Sequence, residues 1–119
     1  MADIWVDAGE ELLVDILDTS VAVPTWYCGW GTGAGTAAKA DSALFTESAE
    51  ARIAATLSQP GVNQSRYVAT MTSASGQTIT NAGILSAISS GILWLHSDFV
   101  GVLLANGDKI EFTFTVTWA

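Results

Sequence analysis

Residues 110–118 of this chain read Ile-Glu-Phe-Thr-Phe-Thr-Val-Thr-Trp, a strict alternation of apolar and polar side chains over nine positions. Successive side chains point to opposite faces only in an extended strand. Ile110, Phe112, Phe114, Val116 and Trp118 therefore share one face, and Glu111, Thr113, Thr115 and Thr117 share the other. Such a strand is half of a structure: its apolar face needs a second layer to cover it. Immediately upstream, Asn106-Gly107-Asp108 is a tight-turn sequence, which predicts a hairpin of residues 100–104 with residues 109–118.

The rest of the chain repeats this grammar in shorter pieces. Residues 25–30 (Thr-Trp-Tyr-Cys-Gly-Trp) follow Pro24 and have the β-branched and aromatic content of a strand. Residues 49–58 and 66–73 read as antiparallel partners across the turn-rich Gln59-Pro60-Gly61-Val62-Asn63-Gln64. The Ala, Glu and Arg of residues 49–57 also suit a helix, and strand is the preferred reading. Residues 78–80 form a short strand, Asn81-Ala82-Gly83 a turn, and residues 91–99 a further strand. The one helical signal lies at residues 7–18, where Leu12, Leu13, Ile16 and Leu17 recur at helical spacing and Asp7 with Glu10 has the form of a capping box. Its other face carries Glu10, Glu11, Asp15 and Asp18, which a solvated surface accommodates. Residues 31–41 are a Gly/Ala/Thr segment too poor in large apolar side chains for a core element, and so an extended loop able to lie along another surface.

Short strands with turn chemistry between them specify a mainly β fold: a single antiparallel β-sandwich, jelly-roll-like, or a small barrel, with one short N-terminal helix. The 119 residues suit one domain over 1–119, with 1–20 as an N-terminal arm or helix. No internal repeat or linker divides the chain.

Charge and cysteine content remove several functions. Twelve acidic residues against four basic ones give a net charge of −8, which opposes nucleic acid as a partner. Cys28 is the sole cysteine, so neither an intrachain disulfide nor a cysteine-based zinc site is available. The N-terminus is acidic where a secretory signal is basic, so synthesis in the cytoplasm is expected. The most apolar run, residues 84–105, holds His96 and Asp98 and reads as two buried strands with a turn, and no membrane role follows.

Candidate chemical motifs fail on their own requirements. Gly29-Trp30-Gly31-Thr32-Gly33-Ala34-Gly35 lacks the Gly-Lys-Ser/Thr of a phosphate loop and the βαβ context of a dinucleotide loop. His96-Ser97-Asp98 holds the residue types of a hydrolytic triad, but neighbours on a strand face opposite ways. Glu47 and Glu50 beside Arg52 invite a glycosidase reading, against which stands an ion pair of Arg52 or Arg66 with a glutamate. The acids near the N-terminus match no calcium loop. No cofactor, metal or catalytic residue is expected. Five tryptophans exceed the needs of a small core. Trp26 and Trp94 are expected inside; Trp5, Trp30 and Trp118 are candidates for contact with another chain, a sugar-stacking platform being the rival use.

In order and spacing, several segments together resemble a group of small virion structural proteins of tailed bacteriophages. They are Trp26-Tyr27-Cys28-Gly29-Trp30-Gly31, then Lys39-Ala40-Asp41 through Leu44-Phe45-Thr46-Glu47 to Glu50-Ala51-Arg52. Thr78-Ile79-Thr80-Asn81-Ala82-Gly83-Ile84-Leu85, Gly91-Ile92-Leu93 and Gly107-Asp108-Lys109-Ile110-Glu111-Phe112-Thr113 complete the set. The resemblance spans about residues 10–118 and implies a non-enzymatic part of a virion. On it rests the expectation of a capsid decoration or cement protein that binds the major capsid protein and copies of itself, as a homo-oligomer in the particle. A tail, fibre or baseplate component and a carbohydrate-binding module are the alternatives. The contact residues expected are Trp5, Trp30, Gly31, Gly33 and Gly35 of the glycine loop, Lys39 at its end, Arg52, Arg66 and Trp118, with the acidic helix as a second patch.

Overall fold

A computed structural model describes residues 4–18 and 22–118. Among them are strands β1 (Ile4–Trp5), β2 (Tyr27–Gly31), β3 (Ile53–Ala54), β4 (Thr56–Ser58), β5 (Gln64–Thr72), β6 (Gln77–Leu85), β7 (Leu93–Leu104) and β8 (Lys109–Thr117), and helix α1 (Asp7–Leu17). The strands form two antiparallel sheets, a larger one in the order β1-β7-β6-β2-β3 and a smaller one in the order β4-β5-β8. The chain is a β-sandwich. Between the sheets Trp26, Trp30, Ile84 and Trp94 from one side meet Tyr67, Met71, Phe112 and Phe114 from the other.

The alternating segment is β8, and its inward residues Phe112, Phe114 and Val116 are buried as the pattern requires. Its partner differs from expectation. β8 pairs with β5 over nine positions, from Gln64↔Thr117 to Thr72↔Lys109, while residues 102–104 pair with β6. The turn at 105–108 does form, with Gly107 at φ 92° and Asp108 Oδ2 accepting the Ala105 N–H at 2.8 Å. It carries the chain from one sheet to the other instead of closing a hairpin. A turn sequence specifies a reversal; which strand lies beside the returning chain depends on non-local pairing.

Asn81-Ala82-Gly83 is not a turn, since β6 runs straight through it. The small side chains serve close packing: a Cβ on Gly83 would lie 2.6 Å from the Leu95 carbonyl oxygen. Residues 53–58 are extended but split between the sheets. β3 pairs with β2 and β4 with β5, the switch falling at Ala55, whose N–H donates to the Trp26 carbonyl at 2.8 Å. Strands that change sheets at a bend close one side of a sandwich in this way.

Helix α1 starts without the capping box. Val6 occupies the cap position in extended conformation with no side-chain cap bond, and the Asp7 N–H donates instead to the Lys39 carbonyl at 2.7 Å. The helix rests on β7 at Gly9, where a Cβ would lie 2.6 Å from the Trp94 carbonyl oxygen, and buries Leu12. Leu17, expected on the buried face, is 71% exposed, so the last turn lies off the core.

Candidate contact surface

The glycine loop folds back at its start on its own chain, while residues 34–36 and 38–40 stay exposed. After β2, residues 32–33 turn back on residues 45–46: the Thr32 N–H donates to the Thr46 carbonyl at 3.0 Å and the Gly33 N–H to the Phe45 carbonyl at 2.9 Å. Gly31 is buried, and a Cβ on Gly33 would lie 2.6 Å from Thr46 Oγ1. A Cβ on Gly35 would lie 2.8 Å from the Phe45 ring. These glycines let the chain approach itself, and residues 32–46 cover the outer face of the larger sheet. Asn81 holds the cover on, its Oδ1 accepting the Phe45 N–H and its Nδ2 donating to the Phe45 carbonyl, both at 3.0 Å.

That same bonding fixes the amide orientation, so Asn81 Oδ1, 3.0 Å from His96 Nε2, is an acceptor there. On the other side of the ring, Nδ1 lies 2.7 Å from Asp41 Oδ2. The fully buried His96 is therefore a linker between sheet and loop, and Asp98 acts alike by accepting the Ala37 N–H at 2.8 Å. Neither is set toward Ser97 as a triad requires. Lys39, at the loop's end, is exposed, donates to the Trp5 carbonyl at 3.0 Å and pairs with Glu10.

Arg52 is buried, contrary to its expected place on the surface. Its guanidinium grips Glu47 through two bonds of 2.7 and 2.8 Å and donates to the carbonyls of Ala87 and Ser90 at 2.9 and 2.7 Å. A planar fork suits that task. Glu50 lies in a cup of donors: Ser48 Oγ, Gln77 Nε2, the Ala74 N–H and Trp30 Nε1 all point at it. Burial works to raise its pKa, but these bonds together outweigh it and hold the carboxyl at about 2. Both carboxylates are thus engaged in holding loops, which leaves no open acid and base for glycoside hydrolysis. Burial pushes the Cys28 thiol up to about 12, so it packs as an apolar residue and not as a nucleophile.

Trp30 is 1% exposed and belongs to the core, so the expected surface contact through it is corrected. Its indole is wanted inside because its N–H has Glu50 to bond. Trp5 and Trp118 are half-buried and stack edge to face with ring centroids 4.4 Å apart, joined to the core through Trp94. Trp118 Nε1 donates to Ser65 Oγ at 3.2 Å. Trp26 and Trp94 are inside, as expected. Arg66 is half-buried on β5, opposite Ser58 and Thr115, far in sequence and register from the glycine loop.

A group of exposed apolar residues lies elsewhere. Val100 is 91% exposed, Leu103 79% and Val102 40%, all on the second half of β7. Between the pairs Ile79↔Val102 and Asn81↔Asp98, β7 has two more residues than β6, and this irregularity carries Val100 outward. Beside it the sheets part between β7 and β8, leaving an apolar groove of about 210 Å³ lined by Phe99, Val102, Ile110, Glu111 and Phe112. Covering Val100 and Leu103 would contribute about 1.5–3 kcal/mol each, which makes this seam a candidate docking surface. The sequence held one signal of it. Val100-Gly101-Val102-Leu103-Leu104 is a nearly unbroken apolar run, and a strand with one covered face cannot bury consecutive side chains.

Among the described residues no group of three or more His, Cys, Asp or Glu is placed to hold a metal ion, and no helix is long and apolar enough to cross a membrane. No family model, curated protein or solved structure was found to match the chain.

Proposed function

We propose that this chain is a non-enzymatic structural protein of a tailed-phage particle, a capsid decoration protein that binds the outer shell across major capsid subunits. One structural observation carries the contact role: the exposed Val100, Val102 and Leu103 beside the apolar groove between β7 and β8. The phage assignment comes from the resemblance of the ordered segments. Rigid, internally bonded loops and an acidic surface suit a part that works by lying against other subunits. A shell displays many sites, so a modest contact repeated in neighbouring copies suffices.

The test is copy number per purified particle, by quantitative mass spectrometry against the major capsid protein. A simple ratio to capsid subunits is expected. A few copies per particle would place the protein in the tail, and absence from particles would overturn the reading.

A further inference from the structure

His96 is the sole histidine of the chain and is fully buried. Both of its ring nitrogens face oxygens that accept. Nε2 lies 3.0 Å from Asn81 Oδ1, and Nδ1 lies 2.7 Å from Asp41 Oδ2. Asn81 does not turn its amide to offer a donor, because that would give up both of its bonds to the Phe45 backbone. Asp41 Oδ2 already takes the Ala38 N–H at 2.8 Å, the part of an ionised carboxylate. A neutral imidazole has one N–H and one lone pair and so satisfies only one of these two acceptors; the imidazolium satisfies both. The Phe45 ring, its centroid 4.6 Å from that of the imidazole, lies within the range at which an aromatic ring attracts a cation.

Asp41 belongs to a small strap. Residues 38–41 close on themselves, the Asp41 N–H donating to the Ala38 carbonyl at 3.1 Å. The strap is tied down by His96 at Asp41, by Asp98 at the Ala37 N–H and by the Asp7 N–H at the Lys39 carbonyl. On either side of it, residues 32–33 and 45–46 are held by backbone bonds and by Asn81, with no charge involved.

We infer that His96 is a buried cation paired with Asp41, and that the pair is a pH-sensitive lock on the strap of residues 37–41. A buried charge needs a partner, and here each ion supplies the other's. Once His96 loses a proton, the one that remains stays on Nε2, where Asn81 is fixed by Phe45. A bare Nδ1 then faces Asp41, lone pair against lone pair. The closed strap is therefore stabilised while the ring is protonated and released as the pH rises. The other charged groups on the elements around the ring do not copy this behaviour. β1 and β6 carry no titratable side chain within their bounds, β7 adds Asp98, the loop adds Lys39, and α1 adds Asp7, Glu10, Glu11 and Asp15. None of them is a histidine, the side chain whose charge ordinarily changes near neutral pH. Lys39 keeps its charge there, its bond to Glu10 raising its pKa above the ordinary lysine value.

The experiment uses the full chain labelled with nitrogen-15, in which one histidine gives one pair of ring signals. Two protonated ring nitrogens are expected at pH 7. Amide exchange, corrected for its intrinsic pH dependence, should be at least tenfold faster at pH 9 than at pH 6 for Ala37 and Asp7, and unchanged for Thr32, Gly33 and the β5–β8 ladder. Asp41→Asn keeps the shape of the side chain and removes its charge. This variant should show one bare ring nitrogen at pH 7 and fast Ala37 exchange already at pH 6, with no further rise at pH 9. A bare ring nitrogen at pH 7 in the unsubstituted chain, or equal protection of Ala37 at pH 6 and pH 9, would overturn the lock. Equal acceleration in the β5–β8 ladder would overturn it too, in favour of global unfolding. Both readings of the unsubstituted chain stand whether or not the variant folds.

Discussion

Glu50 shows how a single side chain fastens separate parts of this fold. It gathers Trp30 of β2, Ser48 of the loop, Ala74 of the turn after β5 and Gln77 of β6 on one carboxylate. Each bond to a charged acceptor contributes about 1.5–3 kcal/mol when made and is expensive to orphan. Because the folded pKa is depressed to about 2, the contribution is complete above the ordinary glutamate pKa, about 4.3, and is lost as the pH falls from there through the folded value. Glu50→Gln is therefore expected to be less stable at pH 7 by about 1–3 kcal/mol, with a shallower loss of stability on acidification. Urea midpoints from pH 7 down to acid measure both. Parallel pH profiles for the two proteins would show that Glu50 does not carry the acid dependence. Nothing near Glu50 in the sequence announced this, because its donors come from positions up to 27 residues away.

At the scale of elements, loops here are held by buried polar side chains more than by their own turn chemistry. Arg52 precedes β3 yet bonds the carbonyls of Ala87 and Ser90, so it clamps the 86–92 connection between β6 and β7. Arg52→Ala is expected to leave those carbonyls and Glu47 without their donor. Amide exchange at Ser86 and Ile92 should accelerate at least tenfold while the β5–β8 ladder stays protected. Uniform acceleration across the chain would instead mean a global loss of stability, and no change would mean the clamp is idle. The glycine loop is the second case. Its composition read correctly as neither helix nor core strand, and the small side chains at Gly31, Gly33 and Gly35 serve close self-packing against residues 45–46. Composition does not announce this, because a glycine serves close approach to its own sheet and to another molecule equally well.

For the whole molecule, the two sheets share one core in which Trp26, Trp30 and Trp94 contact or approach residues of β5 and β8. Neither sheet has an apolar interior without the other. Unfolding followed by tryptophan emission and by far-ultraviolet circular dichroism should accordingly give one coincident transition. Two separated midpoints would show sheets that lose structure independently. One side of the sandwich is closed by the chain crossing from β3 to β4, and on the other, among the described residues, an apolar groove lies between β7 and β8. On that side Val100, Val102 and Leu103 are exposed.

Periodicity alone determined that this chain is mainly β, that one helix lies near its start, and that Phe112, Phe114 and Val116 point into a core, because side-chain alternation is a property of the strand itself. Their distance from the termini and the glycine loop placed Trp26 and Trp94 inside, where both are buried. Only the tertiary structure decided that β8 pairs with β5, that β6 runs through Asn81, that Trp30 and Arg52 are buried, and that Val100 and Leu103 are not. Each of those depends on which distant segment supplies a hydrogen-bond partner or a covering face: Glu50 for the Trp30 indole, Glu47 and two carbonyls for Arg52, and β6 rather than β8 as the partner of residues 102–104. A local pattern states what a segment needs; the folded chain settles what meets that need.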